Sequence, residues 1–182
     1  MLSILLAAAI SGMWDDETFL GRGPMVGAGV NVAVTRHLSV EGEVDFAGLQ
    51  RDAGYLEADA APLVATGRAS FAFRDRSKKV RPFVSAGLSW VRSTGHLTFT
   101  HVAAGPGGQP VVDSTERVPW KASLGAFELG AGIEIQASTH WAVRPEARWV
   151  STASDPSFHP SGIEPPLWIP RAGVTLVWRG PK

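Results

Sequence analysis

The sequence predicts an all-β fold, an eight-stranded antiparallel up-and-down barrel. Apolar residues recur at every second position along most of the chain, which is the period of a β-strand. Glycine, proline and β-branched residues interrupt every stretch that a helix would need. The 182 residues suit one domain with enough chain to close a sheet, so we expect residues 1–182 to form a single domain.

Each strand is predicted from its own alternating segment. The clearest is LSVEGEVDFAG (residues 38–48), where valines and Phe46 take one face and acidic residues take the other. In order, the pattern predicts strands at approximately 22–35, 38–50, 60–73, 80–94, 121–136, 141–151 and 167–178. Short and long connections alternate between them, as they do in outer-membrane barrels.

Residues 2–13 (LSILLAAAISGM) fit two interpretations. Their apolar and small residues resemble the end of a truncated signal peptide, although a positive leading region is missing. As a first strand, they would raise the strand count to an even eight and place both chain ends at the short-turn side. The even number of strands favours the interpretation of residues 2–13 as the first strand.

The charged residues indicate which face of the sheet meets water. In the predicted strands, all charged residues in mid-strand occupy the same alternate positions as the other polar residues, which we call the polar parity. None of them is lysine. Arginine pairs bidentately with carboxylates, and six acids against five arginines nearly cancel, as an enclosed space requires. We therefore predict a transmembrane barrel whose lumen is filled by a charge network: Glu41, Glu43, Asp45, Arg68, Arg81, Glu128, Glu134, Arg144, Glu146, Arg148 and Arg171.

The large aromatic residues fall near predicted strand ends, where a transmembrane barrel carries its interfacial girdle. The predicted girdle consists of Phe46, Trp90, Trp141, Trp149, Trp168 and Trp178. The alternative is a soluble, lipocalin-like barrel with these aromatics in its core. That alternative needs an apolar interior, and the charged parity argues against it.

Composition excludes several classes of function. The net charge is zero, which argues against a nucleic-acid partner. The chain has no cysteine, so disulfides, cysteine-ligated zinc and thiol catalysis are excluded. The five histidines fall in predicted turns and loops without ligand spacing, and we expect neither a metal site nor a cofactor.

Two segments, RPFVSAGLSW (81–90) and RPEARW (144–149), together with the glycine-rich alternating strands, resemble small OmpA/OmpX-type outer-membrane β-barrels and the outer membrane protein β-barrel domain family. The resemblance covers nearly the whole chain. It implies an eight-stranded monomer in the bacterial outer membrane. Outer-membrane lipid, lipopolysaccharide and the assembly machinery would be its partners, and many members have no defined activity.

Three functions remain open. The first is a non-enzymatic role in envelope integrity or surface interaction, with the long predicted loop at residues 95–120 as the best candidate for contact with a partner. The second is a lipid-modifying enzyme using Ser93 and His96 near the outer end, with Asp113 and Glu116 in the adjoining loop. The third is a small pore gated by the lumen charges.

Overall fold

A computed structural model of the chain is a closed, all-β barrel. The structure describes residues 2–15, 18–52, 56–75, 77–105, 109–152 and 167–180. Within these ranges the barrel has eight antiparallel strands, the third of which is interrupted at Gly48. The strands are β1 (Leu2–Asp15), β2 (Thr18–Ala33), β3 (Leu38–Ala47 and Leu49–Asp52), β4 (Leu56–Ala72), β5 (Val80–Ala104), β6 (Pro110–Gln136), β7 (Trp141–Thr152) and β8 (Leu167–Arg179). The described part of the chain contains no helix long and apolar enough to cross a membrane.

Every strand pairs with its neighbours in the sequence, and β8 closes the barrel by pairing with β1, as in Ile4 opposite Trp178. Following the paired residues from Ile4 once around the barrel leads back to Trp14, an offset of 14 − 4 = 10 residues. This offset requires strands tilted by about 40° to the barrel axis. The interior of such a barrel is only wide enough for side chains.

Residues 2–13 belong to the first strand, as the strand count favoured, and β1 continues to Asp15. Leu2, Ile4 and Ile10 point outward and are exposed on the barrel surface. Ser3 and Ser11 point inward and are buried. The alternation is weak in the sequence because alanines and Leu5 also occupy inward positions.

The outer surface carries an apolar band. On β5, outward residues from Val80 to Trp90 are apolar, and Leu88 is 73% exposed. These ten steps of about 3.3 Å, tilted by about 40°, give a band about 25 Å high, which is the height of the lipid-facing band of transmembrane barrels. The apolar parity of the sequence therefore faces lipid.

The structure differs from the predicted loop at residues 95–120, which is largely strand. β5 runs to Ala104, β6 begins at Pro110, and the two remain paired to their ends. The alternation of apolar and polar residues stops near residue 94, because both faces of the hairpin meet water beyond that point. The strands nevertheless continue, since threonines and valines favour the extended backbone. Residues 95–104 and 109–119 form what we call the projecting hairpin. β4 accompanies it as far as Phe99, which lies opposite Leu56, and the last five residues of β5 extend roughly 16 Å further.

We expect the refolded protein in detergent micelles to migrate differently on an SDS gel with and without boiling. A barrel with all strands paired resists SDS until heat separates them. Identical migration in both lanes, together with solubility in the absence of detergent, would contradict a transmembrane barrel.

Candidate functional site

The interior of the barrel is arranged in layers. An apolar layer lies at the end from which the projecting hairpin extends, a belt of charged residues fills the middle, and a smaller apolar cluster lies near the short turns. The structure places all eleven residues predicted for the lumen on the inner face, with side chains that are at least 86% buried.

Glu41 on β3 is joined to the opposite wall of the barrel. Its carboxylate accepts two hydrogen bonds of 2.8 Å from the guanidinium of Arg144 on β7. It also accepts bonds from Arg68 (2.7 Å) and Asn31 (2.8 Å). Since β3 and β7 are diametrically opposite among eight strands, this bidentate pair spans the lumen.

Arg68 on β4 contacts three carboxylates. Its Nη2 lies 2.8 Å from Glu43 and its Nη1 lies 3.0 Å from Glu128, in addition to the contact with Glu41. Glu128 also accepts a hydrogen bond of 3.1 Å from the hydroxyl of Thr66. Arg68 therefore links the acids of β3 to the acid of β6 inside the barrel.

Two further arginines complete the belt. Arg171 on β8 bonds to Asp45 and, at 3.1 Å, to Glu43. Arg148 on β7 bonds to Glu146 and, at 2.9 Å, to the same Glu43. Glu43 thus accepts from arginines on three strands, and the network ties β3, β4, β6, β7 and β8 into one unit.

A separate group of charges lies near the short turns. Glu134 on β6 pairs with Arg81 at 2.8 Å and with Arg179 at 2.5 Å. Arg179 was missed by the sequence prediction, which ended the last strand at residue 178. With Arg179 included, six acids face six arginines among the described inward side chains, so these charges balance.

Glycines on the inner face make room for these long side chains. A Cβ on Gly27 would lie 2.0 Å from Oδ1 of Asp45, and a Cβ on Gly130 would lie 2.6 Å from Oγ of Ser85. Alanine at Gly27 or Gly130 would force buried neighbours to shift. Inward glycine and inward arginine are therefore two parts of one packing arrangement.

The apolar layer closes the lumen above the charged belt. It occupies the same inward parity as the charges and was not predicted from the sequence. Its members are buried side chains from several strands: Met25, Ala47, Leu49, Ala60, Val64, Val91, Leu124, Ala126, Val150 and Ile169. A sequence signal was available, since the inward positions of several strands change from polar to apolar toward the projecting end.

Two small cavities lie in the described part of the lumen. One of about 30 Å³ lies between Glu41, Arg81, Glu134 and Arg144, and another of about 10 Å³ lies beside Asp45. The larger has room for a water molecule and the smaller is at the limit of that size. Neither can pass a hydrated ion.

The predicted girdle occupies both ends of the apolar band. Phe46, Trp90 and Trp149 point outward near the projecting end, and Trp141 points outward near the short turns, each roughly half exposed. Trp178 lies opposite Trp141 on the neighbouring strand. The side chain of Trp168 lies outside the described residues.

The two residues of the alternative enzyme hypothesis, Ser93 and His96, do not come together. Ser93 is buried on the inner face of β5, whereas His96, three residues later, lies on the outer face. Two positions separated by an odd number of residues in a strand project to opposite faces. His96 instead contacts Asp59 at 3.3 Å and Arg117 at 3.1 Å on the outside of the projecting hairpin.

Asp113 and Glu116 lie near the beginning of β6, within the projecting hairpin. Glu116 lies 3.8 Å from the ring of His101, and neither acid contacts Ser93 or His96 in the described structure. No group of three His, Asp or Glu residues within the described ranges is arranged to hold a metal ion.

No family model matches the sequence, and no curated protein matches it. Solved structures do share its fold. Neisserial surface protein A aligns over 98% of this chain and 97% of its own, with a TM-score of 0.65 and 12% identity. A major outer membrane protein of Thermus thermophilus aligns over 97% and 99%, with a TM-score of 0.59 and 12% identity.

The attachment invasion locus protein Ail of Yersinia pestis aligns over 98% of this chain and 97% of its own, with a TM-score of 0.54 and 13% identity. At these identities the likeness concerns the fold. The chain has the fold of small outer-membrane β-barrels, and the eight-stranded architecture implied by the sequence resemblance is confirmed.

Replacing Arg68 by methionine is expected to lower the free energy of unfolding by about 3–5 kcal/mol, because three buried carboxylates lose a shared cation. Equilibrium unfolding by urea in micelles measures the change. Arg36→Met is the control, since Arg36 lies in a short turn with its side chain 83% exposed, and should alter stability by less than about 0.5 kcal/mol. Equal stability of Arg68→Met and the native chain would show that the network contributes nothing.

Proposed function

We propose that this chain is a bacterial outer-membrane barrel with a non-enzymatic role in surface interaction, carried by its projecting hairpin. A lipid-facing apolar band and an interior of paired charges support a membrane location. The fold shared with outer-membrane barrels supports the outer membrane in particular. Since the closed sheet leaves no strand edge within the band, we propose a monomer. Insertion would require the outer-membrane assembly machinery.

The observation that carries the proposal is the contrast between the filled lumen and the long strands of the projecting hairpin. Among the described residues, an apolar layer of side chains fills the lumen, whereas two strands of 25 and 27 residues continue beyond the ends of their neighbours. A barrel needs strands of only about 9–11 residues to cross the bilayer. The additional length is therefore unnecessary for spanning and is available for contact with a partner.

The projecting hairpin has the surface chemistry of an interaction site. Near its tip Val102, Val111 and Val112 are 40%, 49% and 61% exposed. Lower down, the outer face carries the polar group of Asp59, His96 and Arg117. Exposed apolar side chains beside polar ones are typical of surfaces that bind other molecules.

The names of two structural neighbours agree with a surface role. One is a surface protein and the other an attachment and invasion protein, which has also been crystallised with the heparin analogue sucrose octasulfate. These are properties of those proteins. For the present chain they indicate which surfaces to test first.

Arg148→Ala is expected to leave conductance in planar bilayers unchanged at the background level, since the apolar layer above the charges remains intact. Adding Val91→Ser, Leu124→Ser and Val150→Ser to Arg148→Ala should then produce measurable current, because the layer becomes wettable. Current through Arg148→Ala alone would favour the gated pore.

We expect cells displaying the native chain to adhere to heparin-coated surfaces more than cells displaying a shortened hairpin. The shortened variant joins Thr98 to Arg117 through Asn-Gly, and the matched variant changes Val102, Val111 and Val112 to serine at full length. Both should lose adhesion.

Equal adhesion by all three forms would contradict the proposal. If cells lacking the chain also admitted vancomycin more readily, the result would favour a role in envelope integrity instead.

A further inference from the structure

One edge of the projecting hairpin is open. β5 lies along one side of β6 from Pro110 onward. On the other side, no strand within the described ranges pairs with β6 before Ala126, which faces Thr152. The backbone N–H and C=O groups along such an edge can accept a further strand. The edge lies beyond the lipid-facing band, because Trp90, which ends the band on β5, faces Gly125.

The sequence of this edge is complementary to itself. Residues 112–118 read VDSTERV. When two copies lie antiparallel about Thr115, each residue faces the one that is equally far from Thr115 on the other copy. The resulting pairs are Val112 with Val118, Asp113 with Arg117, Ser114 with Glu116, and Thr115 with itself. Pairs of opposite charges, of β-branched residues and of threonines stabilise neighbouring strands.

Both charged residues of the central pair are accessible. Asp113 is the extra residue where the register between β5 and β6 shifts, so it faces no residue of β5, and it forms no ion pair within the described ranges. The side chain of Arg117 is 62% exposed and lies 3.7 Å from Asp59 and 3.1 Å from His96. A guanidinium has five N–H donors, so Arg117 can keep these contacts and also bond to a carboxylate of a second copy.

Nearby registers of the same antiparallel pairing are less favourable. A pairing centred on Asp113, Glu116 or Arg117 places a charge opposite itself, and like charges directly opposite each other destabilise paired strands. The register about Thr115 instead gives every charge along the segment an opposite charge or a hydroxyl group. Pro110 and Pro119 bound the segment, since proline has no N–H to donate to an added strand.

Antiparallel pairing determines where the second copy must lie. Copies in one membrane point their hairpins in the same direction, so their β6 strands cannot run antiparallel. Two copies in facing membranes, with hairpins that point toward each other, meet the condition. Thr100, which faces Thr115, lies 100 − 90 = 10 residues beyond Trp90. At about 3.3 Å per residue and a tilt of about 40°, each hairpin covers about 25 Å, so the contact would hold the two apolar bands about 50 Å apart.

We propose that the open edge of β6 pairs with the same edge of a second copy of this chain in a facing membrane, antiparallel about Thr115. The inference rests on the proposed surface role of the projecting hairpin and names its partner. Within each membrane the barrel stays a monomer. One pair of short strands binds weakly, and many copies on each membrane strengthen the contact through multivalency.

The test uses the full chain reconstituted into phosphatidylcholine vesicles, whose clustering is followed by light scattering. Vesicles with the native chain should cluster. Vesicles with Asp113→Arg or with Arg117→Asp should each cluster at least about tenfold more slowly, because like charges then meet at both ends of the pairing. A mixture of the two kinds of variant vesicle should cluster again, since each variant supplies the charge that the other lacks.

Engineered cysteines give a second readout, which does not depend on charge. The native chain has no cysteine, and Thr115 faces itself in the proposed contact. Thr115→Cys should therefore form a disulfide between two copies on oxidation. Val118→Cys should form one only with Val112→Cys on other vesicles. Electron cryomicroscopy of the clusters should show apolar bands about 50 Å apart.

The matched control is Glu57→Arg, which makes the same change of charge as Asp113→Arg. Glu57 is exposed on β4, where it faces Thr98 of β5, so β5 separates it from the open edge of β6. Vesicles with this variant should cluster as the native ones do. A heat-dependent shift on an SDS gel verifies that each variant is folded.

Three results would overturn the proposal. The first is the absence of clustering by native vesicles. The second is an equal effect of Asp113→Arg and Glu57→Arg, which would remove the dependence on the open edge. The third is binding of native vesicles to protein-free vesicles, which would assign the contact to lipid. Adhesion to heparin is measured separately, so hairpin-dependent adhesion without vesicle clustering would overturn this inference and leave the proposed surface role intact.

Discussion

Charges enclosed in a narrow barrel need partners, and most of this structure follows from that requirement. Removing a carboxylate or guanidinium from water costs several kcal/mol, which is recovered only by close ion pairs and hydrogen bonds. Glu41 meets the requirement through Arg144 on the opposite wall. Arginine rather than lysine serves the belt because one guanidinium can bond to three acids, as Arg68 does. Inward glycines then follow, because long side chains need space.

The same ion pairs also determine whether ions could pass through the barrel. A belt that links five strands, covered by an apolar layer, resists opening, because a path for ions would separate paired charges and wet apolar side chains at once. The paired charges of the described interior therefore stabilise the barrel. The lipid-facing wall and the projecting hairpin lie outside this network.

Much of the fold and of the charged lumen could be predicted from the sequence, because alternate residues of each strand face two different environments, the lipid and the lumen. Charges that share a parity must share a face, so the eleven lumen residues were found without coordinates. Parity carries no information on distance across the lumen, so the partner of Glu41 could not be named. The extent of the projecting hairpin was missed because alternation ceases where both faces meet water. The Ser93–His96 hypothesis did not take this alternation into account. Two residues three positions apart in a strand point to opposite faces, so their side chains cannot come together.

The low identity to proteins of the same fold has a physical explanation. Surface protein A and Ail share only 12% and 13% of residues with this chain, yet both align along nearly its whole length. The barrel requires classes of residue rather than particular ones: apolar groups outward, balanced charges and small residues inward, and aromatic residues at the two interfaces. Many sequences satisfy these conditions, so they fix the architecture and leave the function open. The projecting hairpin is longer than crossing the membrane requires, so these conditions do not account for its length.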